Sequence, residues 1–380
     1  MKILIICSTL DLSKPYGSTP AILQLIKGMY EEGNELLIIP YHGKPVEGLW
    51  WRALENPNYY KGMFLEKVLK ITKHKHGKRN IPLIPLVAQI LATPKLARFV
   101  DKILTTEKDV DAVLMINVPL NQLKGLPTII KKKHDIPFLL YDVDAPTSLP
   151  STGGFTFNFY VGADLSEIDS FIIPSEGSVP ELRNLGASKI NIVHFGVDVD
   201  TYTPISTVKD IDILFFGNGS RGRENNIKMM ITEPSKVLKY KFLVSGRFLD
   251  ATDVGNAVVT KPFSFTEWRN YCCRSKVNLN LARELHAGVF ATSSSRPFEL
   301  AAMRSCIVSS PYKGLEKWFD VGKEIMVGYS AKESIELYDM LMHDEEMRLK
   351  MGEMAQNRVK KEHTSRHRAR QIMEIIEQAI

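Results

Sequence analysis

Cysteine is scarce in this chain, and so is any unbroken apolar stretch. The four cysteines among 380 residues, Cys7, Cys272, Cys273 and Cys306, make no CxxC pair and lie in apolar or helix-like contexts. That argues against a disulfide framework and a structural zinc site and fits a reducing cytoplasm. No segment reaches 18 clean apolar residues; the longest candidate, residues 81–97, holds three prolines and Lys95, which argues against a helix that spans a bilayer. The opening MKILIICSTL has too short an apolar run for a secretory signal and reads as a buried first strand. GxSxG, HExxH and the Walker GxxxxGK[ST] are all missing, which removes the commonest hydrolase, metalloprotease and P-loop chemistries. No internal repeat or low-complexity tract stands out.

What is present belongs to an ordinary globular protein, 44% hydrophobic and 24% charged, and its length suggests two domains. The net charge of +6 is unevenly placed: residues 61–108 hold 11 Lys/Arg against 3 Asp/Glu, leaving the rest about neutral. That segment fits a solvated helical hairpin with a basic face. It also fits docking on an anionic membrane surface, where each cation contributes about 1 kcal/mol. Nucleic acid is not expected, because KHKHGKRN (73–80) lacks interleaved aromatics.

Strand-like apolar runs alternate with helical patterns almost throughout, which predicts a parallel α/β architecture. KILIIC (2–7), ELLIIP (35–40), DAVLMIN (111–117), PFLLYD (137–142), SFIIPS (170–175) and INIVHF (190–195) form one series. After GVDVDTYTP (196–204) a second begins with DILFFG (212–217), KFLVSG (241–246), KVNLNL (276–281), CIVSS (306–310) and EIMVG (324–328). Two Rossmann-like domains are expected, an N-terminal one over 1–204 and a C-terminal one over 205–363. A helical tail, 364–380, is expected to cross back to the first.

Chemistry concentrates near strand ends. FFGNGSRGRENN (215–226) places Gly217, Gly219 and Gly222 in a literal GxGxxG after a strand. The second strand of that unit, however, ends in Ser245 and Gly246 instead of the acidic residue a nicotinamide ribose needs. A phosphate or diphosphate loop, an ordinary glycine turn and a dinucleotide loop all remain open, with Arg221 and Arg223 favouring the first. In SSSRPFELAAM (293–303), Pro297 suits the first position of a helix and Glu299 its first turn. Arg296 stands where a helix start repels cations, so a docked phosphate or sugar would explain it. DVD (142–144) reads as a metal-binding DxD or as a strand end that puts Asp144 on an acceptor hydroxyl. His286 reads as a cofactor or base contact or as a surface histidine.

These C-terminal motifs, with INIVHFGVDVDTYTP, YKGLEKWFDVGKEIMVGYS and HTSRHRARQIMEII, resemble the glycosyltransferases of the family 4 or "group 1" type, most closely the CgeB-like branch. The likeness covers roughly residues 170–375, and is weaker in KILIICS and the Gly17 loop and helix after it. The resemblance implies a GT-B fold, two Rossmann-like domains facing across a cleft, with a nucleoside-diphosphate sugar held mainly by the second domain. It implies an unidentified acceptor held by the first, no obligatory metal and no cofactor. On this chain the donor residues would be Gly217, Asn218, Gly219, Arg221, Arg223, Arg296 and Glu299, with Arg221 or Arg223 on the diphosphate and Glu299 on the ribose. The acceptor side would be Gly17, Ser18 and Asp144, and Arg221 and Asp144 would be catalytic. Many family 4 enzymes carry another glutamate at the position matching Ala291, so the resemblance carries over neither the sugar contacts from there nor a stereochemical outcome. The expected protein is a cytoplasmic hexosyltransferase-like enzyme, peripheral to the inner face of the membrane if the basic segment docks there. The alternatives are a nucleotide or sugar-phosphate binding protein of the same fold without turnover and, further off, a nicotinamide oxidoreductase.

Overall fold

A computed structural model describes residues 1–12, 19–60, 83–152, 158–219, 222–249 and 251–380. The chain forms two units, Met1–Val193 with Ala369–Ile380, and His194–Arg368.

The first unit is built on β1 (Lys2–Cys7), β2 (Glu35–Pro40), β3 (Arg52–Ala53), β4 (Ala112–Ile116), β5 (Phe138–Tyr141), β6 (Ser170–Ile173) and β7 (Ile190–Ile192). They lie in the order β3-β2-β1-β4-β5-β6-β7, and every pairing is parallel. Strands covered on both faces can be apolar at every position, which is why KILIIC and AVLMI show no alternation; Leu4 pairs with Leu37 on one side and Val113 on the other. In the second unit, β8 (Ile211–Phe216), β9 (Phe242–Ser245), β10 (Val258–Thr260), β11 (Ser275–Asn280), β12 (Cys306–Ser309) and β13 (Met326–Val327) run β10-β9-β8-β11-β12-β13, again all parallel.

Both sheets build outward from their first strand and then return to its other side. The strand order reverses between β1 and β4 and between β8 and β11. Crevices of this kind, at the carboxyl ends of the strands, are where open α/β sheets bind ligands. The loops after β8 and β11 are therefore the ones the topology brings together in the second unit.

The last helix, Ser365–Glu377, starts in the second unit and finishes in the first. In the first it buries Ala369, Ile372, Met373 and Ile376, and Arg370 grips Glu32 with Nε at 2.7 Å and Nη2 at 3.0 Å. In the second, the backbone of Val197 pairs with His363 and Ser365 at 3.0 and 2.8 Å, and Arg368 Nε donates to Phe195 O at 3.1 Å. Gly196 lies so close that a Cβ would stand 2.6 Å from Thr364 O, so the contact admits no side chain at that position.

Candidate functional site

The loop after β8 is fixed by its neighbours before any ligand is considered. Gly217 N donates to Ser245 O at 2.8 Å and Gly219 N to Arg247 O at 2.8 Å. A Cβ on Gly246, whose φ is +156°, would stand 1.8 Å from Gly217 O. Gly246, together with Gly219, where a Cβ would stand 2.7 Å from Phe248 O, thus lets two loops touch. The N–H groups of Gly222 and Arg223 both donate to Glu224 Oε2 at 2.9 Å, so the chain's own carboxylate takes the amides that a dinucleotide loop offers to phosphate. The helix that follows is only four residues, Glu224–Ile227, before it widens into a π-helix, Lys228–Thr232.

Hydrogen bonds bind this loop to the one after β11. Arg223 Nε donates to Leu281 O at 2.8 Å, Asn226 Nδ2 to Ala282 O at 3.0 Å, and Glu284 N to Gly222 O at 2.7 Å. Arg223 is held in the field of Arg283 and Arg296. Burial first, then these two cations, push its guanidinium down to about 9. His286 Nε2 is buried without a hydrogen-bond partner, and burial together with Arg283 and Arg223 pushes its imidazole down to about 3. The ring is therefore neutral at ordinary pH. Like charges so gathered favour an anionic ligand that would relieve their repulsion.

Arg296 completes the group from the other side. The helix carrying it, Ser295–Ala302, begins two residues before Pro297, so Pro297 is its third residue and Glu299 its fifth. Neither the expected first position for Pro297 nor the first turn for Glu299 holds. The proline is accommodated because first-turn N–H groups have no intrahelical partner, and Ser294 makes no side-chain cap. The Arg296 guanidinium lies 4.0 Å from the Trp268 ring centroid and 4.8 Å from that of Phe216, and those rings stack 5.2 Å apart. Its Nη1 is buried without a hydrogen bond and stands 3.6 Å from Glu299 Oε2. Glu299 is 4% exposed. The Tyr202 hydroxyl donates to its carboxylate and accepts from the Trp268 indole N–H, and burial together with Glu299 keeps that phenol protonated far into the alkaline range.

The second unit therefore gathers Arg223 and Arg296 with Glu299, near the loop of Gly217, Asn218 and Gly219; Asn218 Oδ1 accepts from Arg247 N at 3.4 Å. Arg221 lies outside the described residues, as do Gly17 and Ser18. His286 is half-buried, with its Nε2 out of solvent. Arg283, Trp268 and Tyr202 were not anticipated. The strand-end rule that singled out Arg223 points equally to Arg283, three residues beyond β11, whereas nothing local marks Trp268 or Tyr202. Ala291 is fully buried with φ +46°, and a Cβ on Gly314 would meet its backbone N at 2.7 Å.

In the first unit the carboxylates of DVD do not act as a pair. Asp142 is 1% exposed and accepts from Ser148 Oγ at 2.5 Å, Tyr160 OH at 2.7 Å and Asp144 N at 3.0 Å. It fixes the turn, and burial raises its pKa despite those donors. Asp144 is partly exposed, with its carbonyl taken by Thr147.

Residues 223–374 match the family model described as "Glycosyl transferase-like". No curated protein matches the sequence. Solved structures align along the entire chain: a glycosyltransferase from Rickettsia africae at 14% identity and TM-score 0.61, covering 100% of this chain and 98% of that one; and a sucrose-phosphate synthase from Thermosynechococcus elongatus at 12% and 0.65, covering 100% and 99%. HepE of Anabaena, solved in complex with UDP, aligns at 12% and 0.62, covering 100% of both chains. Two parallel Rossmann-like sheets in this order, each with its reversal point, make the fold that of the GT-B glycosyltransferases.

Proposed function

We propose that the protein is a glycosyltransferase, of the family 4 type and nearest the CgeB-like branch, that moves a sugar from a nucleoside diphosphate to an acceptor hydroxyl. The observation that carries this reading is that Arg223, on the loop after β8, lies in the field of Arg283, on the loop after β11, and of Arg296, with Glu299 beside Arg296. Breaking the glycosyl–phosphate bond leaves a nucleoside diphosphate with growing negative charge. Arginines already held in place stabilise it without reorganising. Arg223, Arg283 and Arg296 hold the diphosphate and Glu299 takes the ribose hydroxyls. The acceptor binds to the first domain, where Asp144 receives the proton its hydroxyl gives up, and no metal takes part. Neighbours of the same fold crystallised with UDP and UDP-glucose support a nucleoside-diphosphate hexose as donor.

Calorimetry with UDP, GDP and ADP tests the donor half. One of them binds the wild type, and Arg223→Ala, Arg296→Ala and Glu299→Ala each weaken that binding while leaving the fold intact. Where turnover is measured, losing one such cation costs about 2.7 to 4 kcal/mol of barrier, a fall of about 10²- to 10³-fold in kcat. Unchanged affinity in all three variants overturns the assignment, and full turnover by Asp144→Asn removes Asp144 from the reaction. The buried Ala291 favours one rival, a nucleotide or sugar-phosphate binding protein of the same fold without turnover. Slow hydrolysis of a bound donor separates the enzyme from it.

The enzyme works in the cytoplasm, docked on the anionic inner face of a membrane. In support, the helix Leu83–Leu91 leaves Leu86, Ile90 and Leu91 exposed by 51%, 63% and 49%. The 22 residues before it, 61–82, contain 7 Lys/Arg against one acid. Exposed apolar side chains that follow a strongly basic stretch of sequence suit an anionic bilayer. Cosedimentation with phosphatidylserine vesicles at low salt is expected, weakening as ionic strength rises and falling in Leu86→Ser/Ile90→Ser. No binding at low salt overturns it.

A further inference from the structure

Tyr202 has no part in the reading above, yet it touches the residue assigned to the ribose. Its place is set locally. Asp198, 4% exposed, accepts from Asp200 N at 3.3 Å and from the Thr201 hydroxyl, and its carbonyl accepts from Tyr202 N at 3.0 Å. The turn so fixed lies on the segment that enters the second unit at His194 and delivers the Tyr202 ring edge-on to Trp268, centroids 6.4 Å apart. Trp268 supports Arg296 on one side and donates its indole N–H to Tyr202 on the other. Arg296 and Tyr202 then meet at the same carboxylate. The four side chains close a ring, and Glu299 is the member able to receive a ligand hydroxyl.

A carboxylate oxygen has room for about two donors. With the Tyr202 hydroxyl filling part of that capacity and the Arg296 guanidinium holding the carboxylate by charge from 3.6 Å, the remaining lone pairs are fixed in direction before a ligand arrives. We propose that Tyr202 is a positioning residue that aims Glu299 at the ribose, so that the preference for a ribonucleotide over a deoxyribonucleotide depends on the tyrosine hydroxyl. This rests on the assignment of Glu299 to the ribose. A phenylalanine at 202 keeps the edge contact with Trp268 and removes only the hydroxyl, and hydrogen bonds to charged groups are worth enough for about a three- to tenfold effect.

The test measures UDP, GDP and ADP, each against its 2′-deoxy counterpart, together with inorganic pyrophosphate, on wild type, Tyr202→Phe, Glu299→Gln and the double variant, with melting temperatures as a check on folding. Expected are a preference for the ribonucleotide in the wild type, a three- to tenfold loss of that preference in Tyr202→Phe, unchanged pyrophosphate affinity, and a double variant no worse than Glu299→Gln. A preference abolished by Glu299→Gln but intact in Tyr202→Phe overturns the positioning role and leaves the ribose assignment standing. A preference untouched by Glu299→Gln overturns both. If Tyr202→Phe does not fold, Thr201→Val loosens the same turn through Asp198, and an unaltered preference in that variant overturns the proposal.

Discussion

Arg223, half-buried in the field of Arg283 and Arg296, is an arginine placed where its own charge is disfavoured. So is His286, whose ring the fold keeps neutral down to about pH 3. His363 is a second such case, pushed to about 3 by burial and by Arg368, with Nε2 buried and unbonded. In the unfolded chain both histidines titrate near 6.5. Below that pH the unfolded state takes up protons that the fold refuses, so the stability they contribute is full above about 6.5 and drains away as pH falls toward 3. Linkage sets the slope at up to about 1.4 kcal/mol per pH unit for each. The urea midpoint should therefore fall between pH 7 and pH 5, and His286→Gln or His363→Gln should flatten the decline. An identical slope in both variants would mean that other groups carry the acid sensitivity.

At the scale of the element, the interior strands were legible because a strand buried on both faces leaves a continuous apolar run, and KILIIC and ELLIIP match β1 and β2 residue for residue. The edge strands β3 and β10 were not, since Arg52–Ala53 and Val258–Thr260 are too short to leave any period. The site was half legible. Arg223, Arg296 and Glu299 stand beside glycines or a proline that announce a turn. Tyr202 and Trp268 reach Glu299 only through tertiary packing, and no spacing encodes that. GxGxxG misled in one respect: its amides at 222 and 223 are held by Glu224, and Gly219 serves close packing against Phe248 O. Gly246→Ala is accordingly expected to cost a few kcal/mol of stability and to lower nucleotide affinity by displacing the loop. Wild-type melting and binding in that variant would show that the two loops can part freely.

Across the whole molecule, the helix Ser365–Glu377 belongs to both units. Cutting the chain after Arg368 uncovers the first unit where Ala369, Ile372, Met373 and Ile376 were buried, and burial of side chains this size is worth about 1.5 to 3 kcal/mol each for the larger ones. The truncated protein should lose the first unit to limited proteolysis well before the second, and a synthetic 369–380 peptide should slow that digestion. Equal resistance of the two units would show the helix to be dispensable. The same arrangement orders events during synthesis. Residues 194–368 can reach their final state as soon as they leave the ribosome, but the half translated first must wait, with one face uncovered, for a segment that emerges after all of the other half. A chaperone that shields nascent chains would find its client there.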